Sequence, residues 1–370
     1  MVDSMFDVNN WRAVPFHFWS VAFFIFGAMT GSFLNVCIYR MPRGESVVSP
    51  PSHCPHCNYR IPAYLNIPLV TWLYLRAKCA NCRAPISIRY FLIEFLTAVL
   101  FMACWWQVGQ FSVLLALAYC LVMSGLIVAT FIDLEHFIIP DEITIGGIVV
   151  GFVVSLLVPV VQGTSSSSVA LKQSLLGILV GGGLIYGILR AGKLLFGKQR
   201  IELTPGTRIV FTETSLKLPD EEIPFEDLFY RDSDFISLEA THIELADRCY
   251  AKATVRLTPT ELQIGDDIFK PEDIPHMEAV ADRIVLPREA MGFGDVKFMA
   301  AIGAFLGWPA VLFSLMMSSI IGALVGLALI AAKKQEWSSR LPYGPYIALA
   351  AMLWVFRGPQ LMRWIFGAAF

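Results

Sequence analysis

Long apolar runs constrain this chain more than any other feature. A helix needs about 20 mostly apolar residues to cross a bilayer, and five stretches stand out by that measure: Phe16–Tyr39, Tyr90–Gln107, Phe111–Ile132, Ile143–Val161 and Leu171–Phe196. Three more lie towards the C-terminus, from about Val296 to Gly307, from Trp308 to Ala332 and from Gly344 to about Phe366; the first is short and the last is interrupted by Arg357-Gly358-Pro359. The expected fold class is a polytopic α-helical membrane protein of about eight spans. Phe16–Tyr39 is too long for the apolar region of a signal peptide, and its Arg40 and Arg43 lie on the wrong flank, so it reads as a first span. With 56% hydrophobic and 16% charged residues, a disordered chain or a simple soluble enzyme is excluded.

Charge sets the expected orientation, because Lys and Arg are retained on the cytoplasmic side. One alternating set of loops holds Arg40, Arg43, Arg60, Arg76, Lys78, Arg83 and Arg89, then Arg190, Lys193, Lys198 and Arg200, then Lys333, Lys334 and Arg340. The opposite set offers Arg12, Lys172, Arg357 and Arg363. The N-terminus is therefore expected outside, and the 40–89 loop, an insert at 197–290 and the 333–343 loop in the cytoplasm. The implied organisation is a tail and first span at 1–39, a cysteine loop at 40–89, spans two to five at 90–196, the insert, and 291–370 with the last three spans.

The insert differs in character from the rest. Residues 200–290 carry 20 acids against 10 bases, a net of −10 in a chain whose overall charge is −2. Ile201-Glu202-Leu203, Arg208–Phe211 and Ser215–Leu218 alternate polar and apolar between turn residues, which is strand periodicity, and Lys252–Leu257 with Glu261–Ile264 reads as a hairpin about Thr258-Pro259-Thr260. A small, mainly β cytoplasmic domain is expected, without a catalytic constellation; His242, His276 and Cys249 are isolated. Gln162-Gly163-Thr164 and Ser165–Ser168 read as a flexible external loop.

Four of eight cysteines form two Cys-x-x-Cys knuckles, Cys54-Pro55-His56-Cys57 and Cys79-Ala80-Asn81-Cys82. Each knuckle turns tightly enough to present two thiolates to one ion, and the intervening chain is long enough to bring the pairs together, as tetrahedral zinc requires. In a reducing cytoplasm metal is favoured over disulfides. A closed four-sulfur site leaves no coordination position for substrate, so zinc here is structural; His53 and His56 are read as bystanders.

Ionisable side chains at span edges are costly, and two stand out. Asp133 ends the third span in Phe131-Ile132-Asp133-Leu134-Glu135-His136, and Asp295 opens the sixth in Met291-Gly292-Phe293-Gly294-Asp295. The topology puts both at the cytoplasmic edge. Facing carboxylates cannot both ionise cheaply and come to share a proton, the condition under which one activates water and the other donates to a developing oxyanion. Gly292 and Gly294 lack side chains that would keep an extended substrate backbone from the carboxylate. Asp141, after Pro140, is expected to cap the fourth span. Asp133, Glu135 and His136 also admit reading as a metal fragment, though no second histidine completes it.

The ordered motifs Gly31-Ser32-Phe33-Leu34-Asn35-Val36 with Tyr39-Arg40-Met41-Pro42, Pro50–Cys57, Asn66-Ile67-Pro68, Ser87-Ile88-Arg89-Tyr90 with Glu94, the Asp133 and Gly292–Asp295 segments, and Leu341-Pro342-Tyr343-Gly344-Pro345 together resemble type IV prepilin peptidases. The resemblance implies a membrane aspartic endopeptidase of the Gly-x-Gly-Asp kind in the bacterial inner membrane, with Asp133 and Asp295 as its catalytic pair. It also implies type IV prepilins or type II secretion pseudopilins as substrates, zinc on the four-cysteine loop, and S-adenosylmethionine if the new N-terminus is methylated. The bilayer is the other expected partner, and nucleic acid is not expected. Two departures stand out: Arg76-Ala77-Lys78-Cys79 replaces the usual Arg-Gly-Lys/Arg-Cys, and the acidic insert takes the place of a short link. The insert's charge points to attraction of basic leaders or, alternatively, to a spacer or assembly role. Two other functions remain open from sequence: an intramembrane peptidase of signal-peptide remnants, and a non-catalytic zinc-containing scaffold of a pilus or secretion machine.

Overall fold

The computed structural model describes residues 14–196, 198–219, 221–229, 234–287, 292–332 and 341–367; Arg12, Met291, Lys333, Lys334 and Arg340 lie outside the described residues. The chain divides into two compact units, Met1–Tyr186 with Gly292–Phe370, and Gly187–Met291.

In the first unit, α1 spans Phe16–Arg40 and leads into the cysteine loop, whose one α-helix is the short α2, Val70–Tyr74. There follow α3 (Ile88–Cys104), α4 (Val113–His136), α5 (Asp141–Leu157), α6 (Ser167–Phe196), which from Gly187 on belongs to the second unit, α7 (Phe293–Ala331) and α8 (Gly344–Phe366). Ser87 and Ser112 cap α3 and α4 by accepting the amides of Arg89 and Leu115, which fixes where each helix begins. Five helical stretches among the described residues are long and apolar enough to cross a membrane: Phe16–Arg43, Ile88–Gly109, Val113–His136, Ser167–Lys193 and Phe293–Ala331. At 17 residues α5 is near the lower limit of a span, and the 3₁₀ turn Pro159–Gln162 prolongs it.

Membrane helices gain little from expelling water between them, so they associate where small residues let backbones approach. At the α1–α3 contact, a Cβ on Gly27 would lie 2.7 Å from the Ala98 Cα and one on Gly31 2.7 Å from the Glu94 Cα. On α7, the segment before residue 308 is buried almost throughout, and Gly151 of α5 and Gly177 of α6 both pack directly against it. This central segment carries Asp295 in its first turn.

The expected boundary between two late spans, at Gly307 and Trp308, is a break within α7. Gly307 has φ 79° and ψ 171°, and Pro309 cannot donate a backbone hydrogen bond. The carbonyls released just before the break are met by side chains. Ala304 O accepts from Ser155 Oγ at 3.1 Å, Gln162 Nε2 at 2.9 Å and Ser174 Oγ at 2.8 Å, and Phe305 O accepts from Gln162 Nε2 at 3.2 Å. Gln162 is therefore a plug in the helix break rather than part of a flexible loop, and Ser167 and Ser168 already belong to α6.

The second unit contains a nine-stranded antiparallel sheet: β1 (Lys198–Glu202), β2 (Arg208–Phe211), β3 (Ser215–Lys217), β4 (Glu222–Pro224), β5 (Ile236–Leu245), β6 (Cys249–Leu257), β7 (Leu262–Ile264), β8 (Asp267–Phe269) and β9 (Met277–Pro287). The order is β4-β3-β2-β9-β5-β6-β7-β8, with β1 also on β9. Ile209, Phe211, Leu216, Ile236, Leu238, Ile243, Val255 and Ile284 contribute to one apolar core. The expected β6–β7 hairpin is present, pairing Val255 with Ile264 and Leu257 with Leu262. The two long central strands, β5 and β9, were not anticipated from sequence. Register shifts between Leu238 and Ala240 and between Ala240 and His242 interrupt their pairing, and β9 fills the core partly with alanine, which weakens its apolar alternation.

Candidate active site and metal centre

Asp133 lies in the last turn of α4 and Asp295 in the first turn of α7, and both are buried, with 6% and 8% of their surface exposed. Asp133 Oδ2 accepts the amide of Gly344, the first residue of α8, at 2.8 Å. Ile139, in the short link between α4 and α5, stands between the two aspartate segments: a Cβ on Gly344 would lie 3.1 Å from its Cδ1, and one on Gly294 would lie 3.5 Å from its Cβ. Two acids far apart in sequence are thus buried on segments that meet at Ile139, Asp133 through its partner Gly344 and Asp295 through its neighbour Gly294.

Each aspartate is followed two residues later by a charged side chain that ties its helix to another. Glu135 pairs with Arg89 at the start of α3, and Lys297 pairs with Asp141 at the start of α5. The second pair corrects the expectation for Asp141. Pro140 occupies the N-cap of α5 with no side-chain cap, leaving Asp141 as the first helical residue, from which its carboxylate reaches Lys297. Glu135 and Asp133 likewise form no metal cluster with His136 among the described residues.

Gly292 is exposed, with φ −69° and ψ 146°, a conformation open to any residue. A Cβ there would meet Asp295 Oδ2 at 3.5 Å and the Gly294 amide nitrogen at 3.9 Å, both ordinary contacts, and one on Gly294 would make ordinary contacts with Ile139. Neither backbone strain nor packing demands glycine at these positions.

The cysteine loop is held to the bundle by motif residues. Arg40 is buried and donates to Ser46 O at 2.9 Å and Pro50 O at 2.7 Å. Asn35 donates to Tyr90 O at 3.1 Å, and Glu94 Oε2 accepts the Leu69 amide at 2.7 Å. Within the loop, the two knuckles are structural copies. Cys54 and Cys79 donate their amides to Tyr59 O and Ala84 O, their carbonyls accept from Asn58 and Arg83, and those two residues both have positive φ.

The sulfurs of Cys54, Cys57, Cys79 and Cys82 all lie within 4.8 Å of one another, and Cys54 and Cys82 are 3.8 Å apart. Tetrahedral zinc with Zn–S near 2.3 Å has an S···S edge of about 3.8 Å. The donor set therefore fits such an ion. Backbone amides of Cys82 and Asn81 bring the Cys79 thiol down to about 6, and the Tyr59 amide with the Asn81 side chain lowers Cys57, whereas, against the Ala84 amide, burial and the neighbouring thiols push Cys82 up to about 11. His53 and His56 are outside the cluster.

Comparison with known proteins bears on all of these elements. The bacterial peptidase A24 N-terminal domain matches residues 25–108, and the type IV leader peptidase family matches 120–201 and 277–327. A prepilin leader peptidase/N-methyltransferase of Myxococcus xanthus (strain DK1622) is 30% identical over 351 residues, covering 93% of this chain and 74% of its own length. The chain belongs to the type IV leader peptidase family. Another member, from Aeromonas hydrophila with the same name, is 28% identical over 378 residues, covering 95% of both chains. No solved structure matches the chain at a significant level.

The family match passes from 201 to 277, skipping most of the sheet. Its two edges lie on β1 and β9, which pair in register from Lys198↔Pro287 to Glu202↔Arg283, whereas Met277, where the match resumes, pairs with Phe211 and Leu245 at the other end of β9. Sequence reasoning gave no role to Ile139, Lys297 or Gly344. For Gly344 the signal was available in Leu341–Pro345, a motif rich in turn residues just before an apolar run.

Proposed function

We propose that this chain is a membrane aspartic endopeptidase that removes the leader of type IV prepilins or type II secretion pseudopilins at the cytoplasmic face of the inner membrane, with Asp133 and Asp295 as the catalytic pair. The observation that supports this reading is the burial of both aspartates on segments that pack against the same residue, Ile139, through Gly344 and Gly294. With one proton shared between them, one carboxylate takes a proton from water as the oxygen attacks the scissile carbonyl, and the other donates a proton to the carbonyl oxygen. Collapse of the tetrahedral intermediate then returns a proton to the departing nitrogen. Gly292 and Gly294, which no contact among the described residues requires to be glycine, keep the approach to Asp295 clear for an extended peptide backbone.

Eight spans result when α1, α3, α4, α5, α6 and α8 are counted with the two segments of α7 on either side of Gly307. The Lys and Arg distribution then places the cysteine loop and both aspartates on the cytoplasmic side. Cys54, Cys57, Cys79 and Cys82 hold zinc as a structural ion, which keeps the loop compact and supplies no reacting group. The second activity named for the relatives, methyl transfer, is the reading for the product's new N-terminus, with S-adenosylmethionine as donor.

The test is cleavage of a prepilin by the purified chain in detergent. A single cut between leader and apolar segment is expected, abolished by Asp133→Asn and by Asp295→Asn, and incubation with S-adenosylmethionine adds the mass of one methyl group to the product. Cleavage that survives both substitutions refutes the aspartic mechanism.

A further inference from the structure

Leu341–Pro345 is a sequence motif to which the ion pairs and the cysteine centre give no task. Its central residues lie at the start of α8. Gly344 is buried, and its amide is the donor 2.8 Å from Asp133 Oδ2. No left-handed φ is found at Gly344, which is the first residue of a regular helix, so its backbone does not demand glycine. What demands it is the carboxylate. A Cβ there would stand 2.7 Å from Asp133 Oδ2 and 3.2 Å from its Cγ, closer than side-chain carbons tolerate.

The preceding residue fixes this turn from the other side. The Tyr343 hydroxyl lies 2.9 Å from Ser318 Oγ and 3.0 Å from Ser319 Oγ, both on the second segment of α7. The Tyr343 carbonyl accepts the amides of Tyr346 and Ile347 in the first turn of α8. One short turn therefore joins α7, which carries Asp295 at its other end, to the carboxylate of Asp133.

We infer that Gly344 is a positioning residue for the peptidase reaction: its amide holds Asp133 Oδ2 in the orientation that meets substrate, and its missing Cβ is the space that orientation occupies, with Tyr343 anchoring the turn through Ser318 and Ser319. This rests on the aspartic reading above and adds to it a third support of the pair, besides the ion pairs Glu135–Arg89 and Lys297–Asp141. The Asp133 carboxylate ends a short side chain that can rotate away from an added methyl group. Gly344→Ala therefore leaves the fold standing and displaces the reacting atoms, where a shift of about 1 Å costs on the order of 100-fold in rate.

The experiment compares Gly344→Ala with Gly125→Ala, a glycine of α4 whose Cβ would meet nothing within 4 Å. Steady-state cleavage of a prepilin is measured with the full chain in detergent, beside thermal unfolding and the affinity for a peptide analogue with a hydroxyl in place of the scissile carbonyl. Expected for Gly344→Ala is a kcat about 100-fold down, KM within about twofold, analogue affinity lowered in parallel with kcat, and unfolding unchanged; Gly125→Ala keeps wild-type kinetics. A Gly344→Ala enzyme within twofold of wild-type kcat overturns the assignment, as does one whose rate falls only in proportion to folded protein. If Gly344→Ala cannot be produced, Tyr343→Phe decides: a kcat at least threefold lower with KM and unfolding retained supports the anchor, and unchanged kcat overturns it. Asp133→Asn is run alongside, since its retained activity would remove the aspartic reading itself, whereas an inactive Asp133→Asn beside a fully active Gly344→Ala removes only the present inference.

Discussion

Replacing Gln162 tests whether the break in α7 is held by side chains. The Gln162 amide donates to Ala304 O at 2.9 Å and to Phe305 O at 3.2 Å, and at Ala304 it is one of three donors, with Ser155 and Ser174. Gln162→Leu keeps most of the volume and removes both bonds together with a third, from Nε2 to Ser155 Oγ at 2.9 Å. Ala304 O retains its two serines, but Phe305 O loses the side-chain partner that replaces the amide Pro309 lacks. A buried carbonyl left unmatched costs about 1–3 kcal/mol, whereas removing one redundant donor costs about 0.5–1.5 kcal/mol. Gln162→Leu is thus expected to destabilise by roughly 1.5–4.5 kcal/mol, and Ser155→Ala or Ser174→Ala by about 1 kcal/mol or less. Reversible unfolding in mixed detergent micelles, followed by circular dichroism, gives the three values under one condition. A Gln162→Leu cost no larger than that of Ser155→Ala would refute the reasoning.

Other consequences concern the loop and the insert. Ala77 has φ 58°, a left-handed conformation costing an L-residue about 1–2 kcal/mol, which Ala77→Gly relieves less about 0.5–1 kcal/mol of added chain entropy; metal release to a chelator should slow about two- to fivefold. Stripping the metal should make Cys54, Cys57, Cys79 and Cys82 reactive to a thiol reagent and open the 40–89 loop to protease while helical content stays constant, and thiols equally reactive before and after chelation would contradict a metal-bound cluster. Glu202 and Arg283 are register partners, so joining them through Asn-Gly in place of 203–282 closes a β1–β9 hairpin. Loss of the acidic segment should weaken cleavage of basic-leader substrates several-fold at low salt and not at high salt; identical kinetics at both salts would reject electrostatic recruitment.

The sequence and the structure agree most where the signal is local. Knuckle spacing requires two residues between cysteines, and the turn geometry that follows repeats at Asn58 and Arg83. Apolar length finds the long helices, and the Gly-Pro pair at 307 and 309 marks the place where α7 breaks. The contacts that orient the aspartates are of another kind. Asp133 meets Gly344 across 211 residues and Lys297 meets Asp141 across 156, and nothing in a local window distinguishes Asp141 as an ion-pair partner from Asp141 as a cap. Gln162 reads as loop because its neighbours Gly163 and Thr164 do, while its role is set by carbonyls more than a hundred residues away. In the insert, β5 shows alternation that a longer window detects, but β9 buries Ala279 and Ala281, whose small side chains give periodicity little weight.

The central claim is that Asp133 and Asp295 act as one unit, and the most direct measurement is the prepilin cleavage rate of Asp133→Asn, Asp295→Asn and the double variant, each shown folded by thermal unfolding in the same detergent. Residues that act together are non-additive. Each single substitution is expected to remove at least about 1,000-fold of the rate, with the double variant no slower than either single one. A single variant that retains substantial cleavage, or losses that multiply in the double variant, would contradict a shared catalytic site.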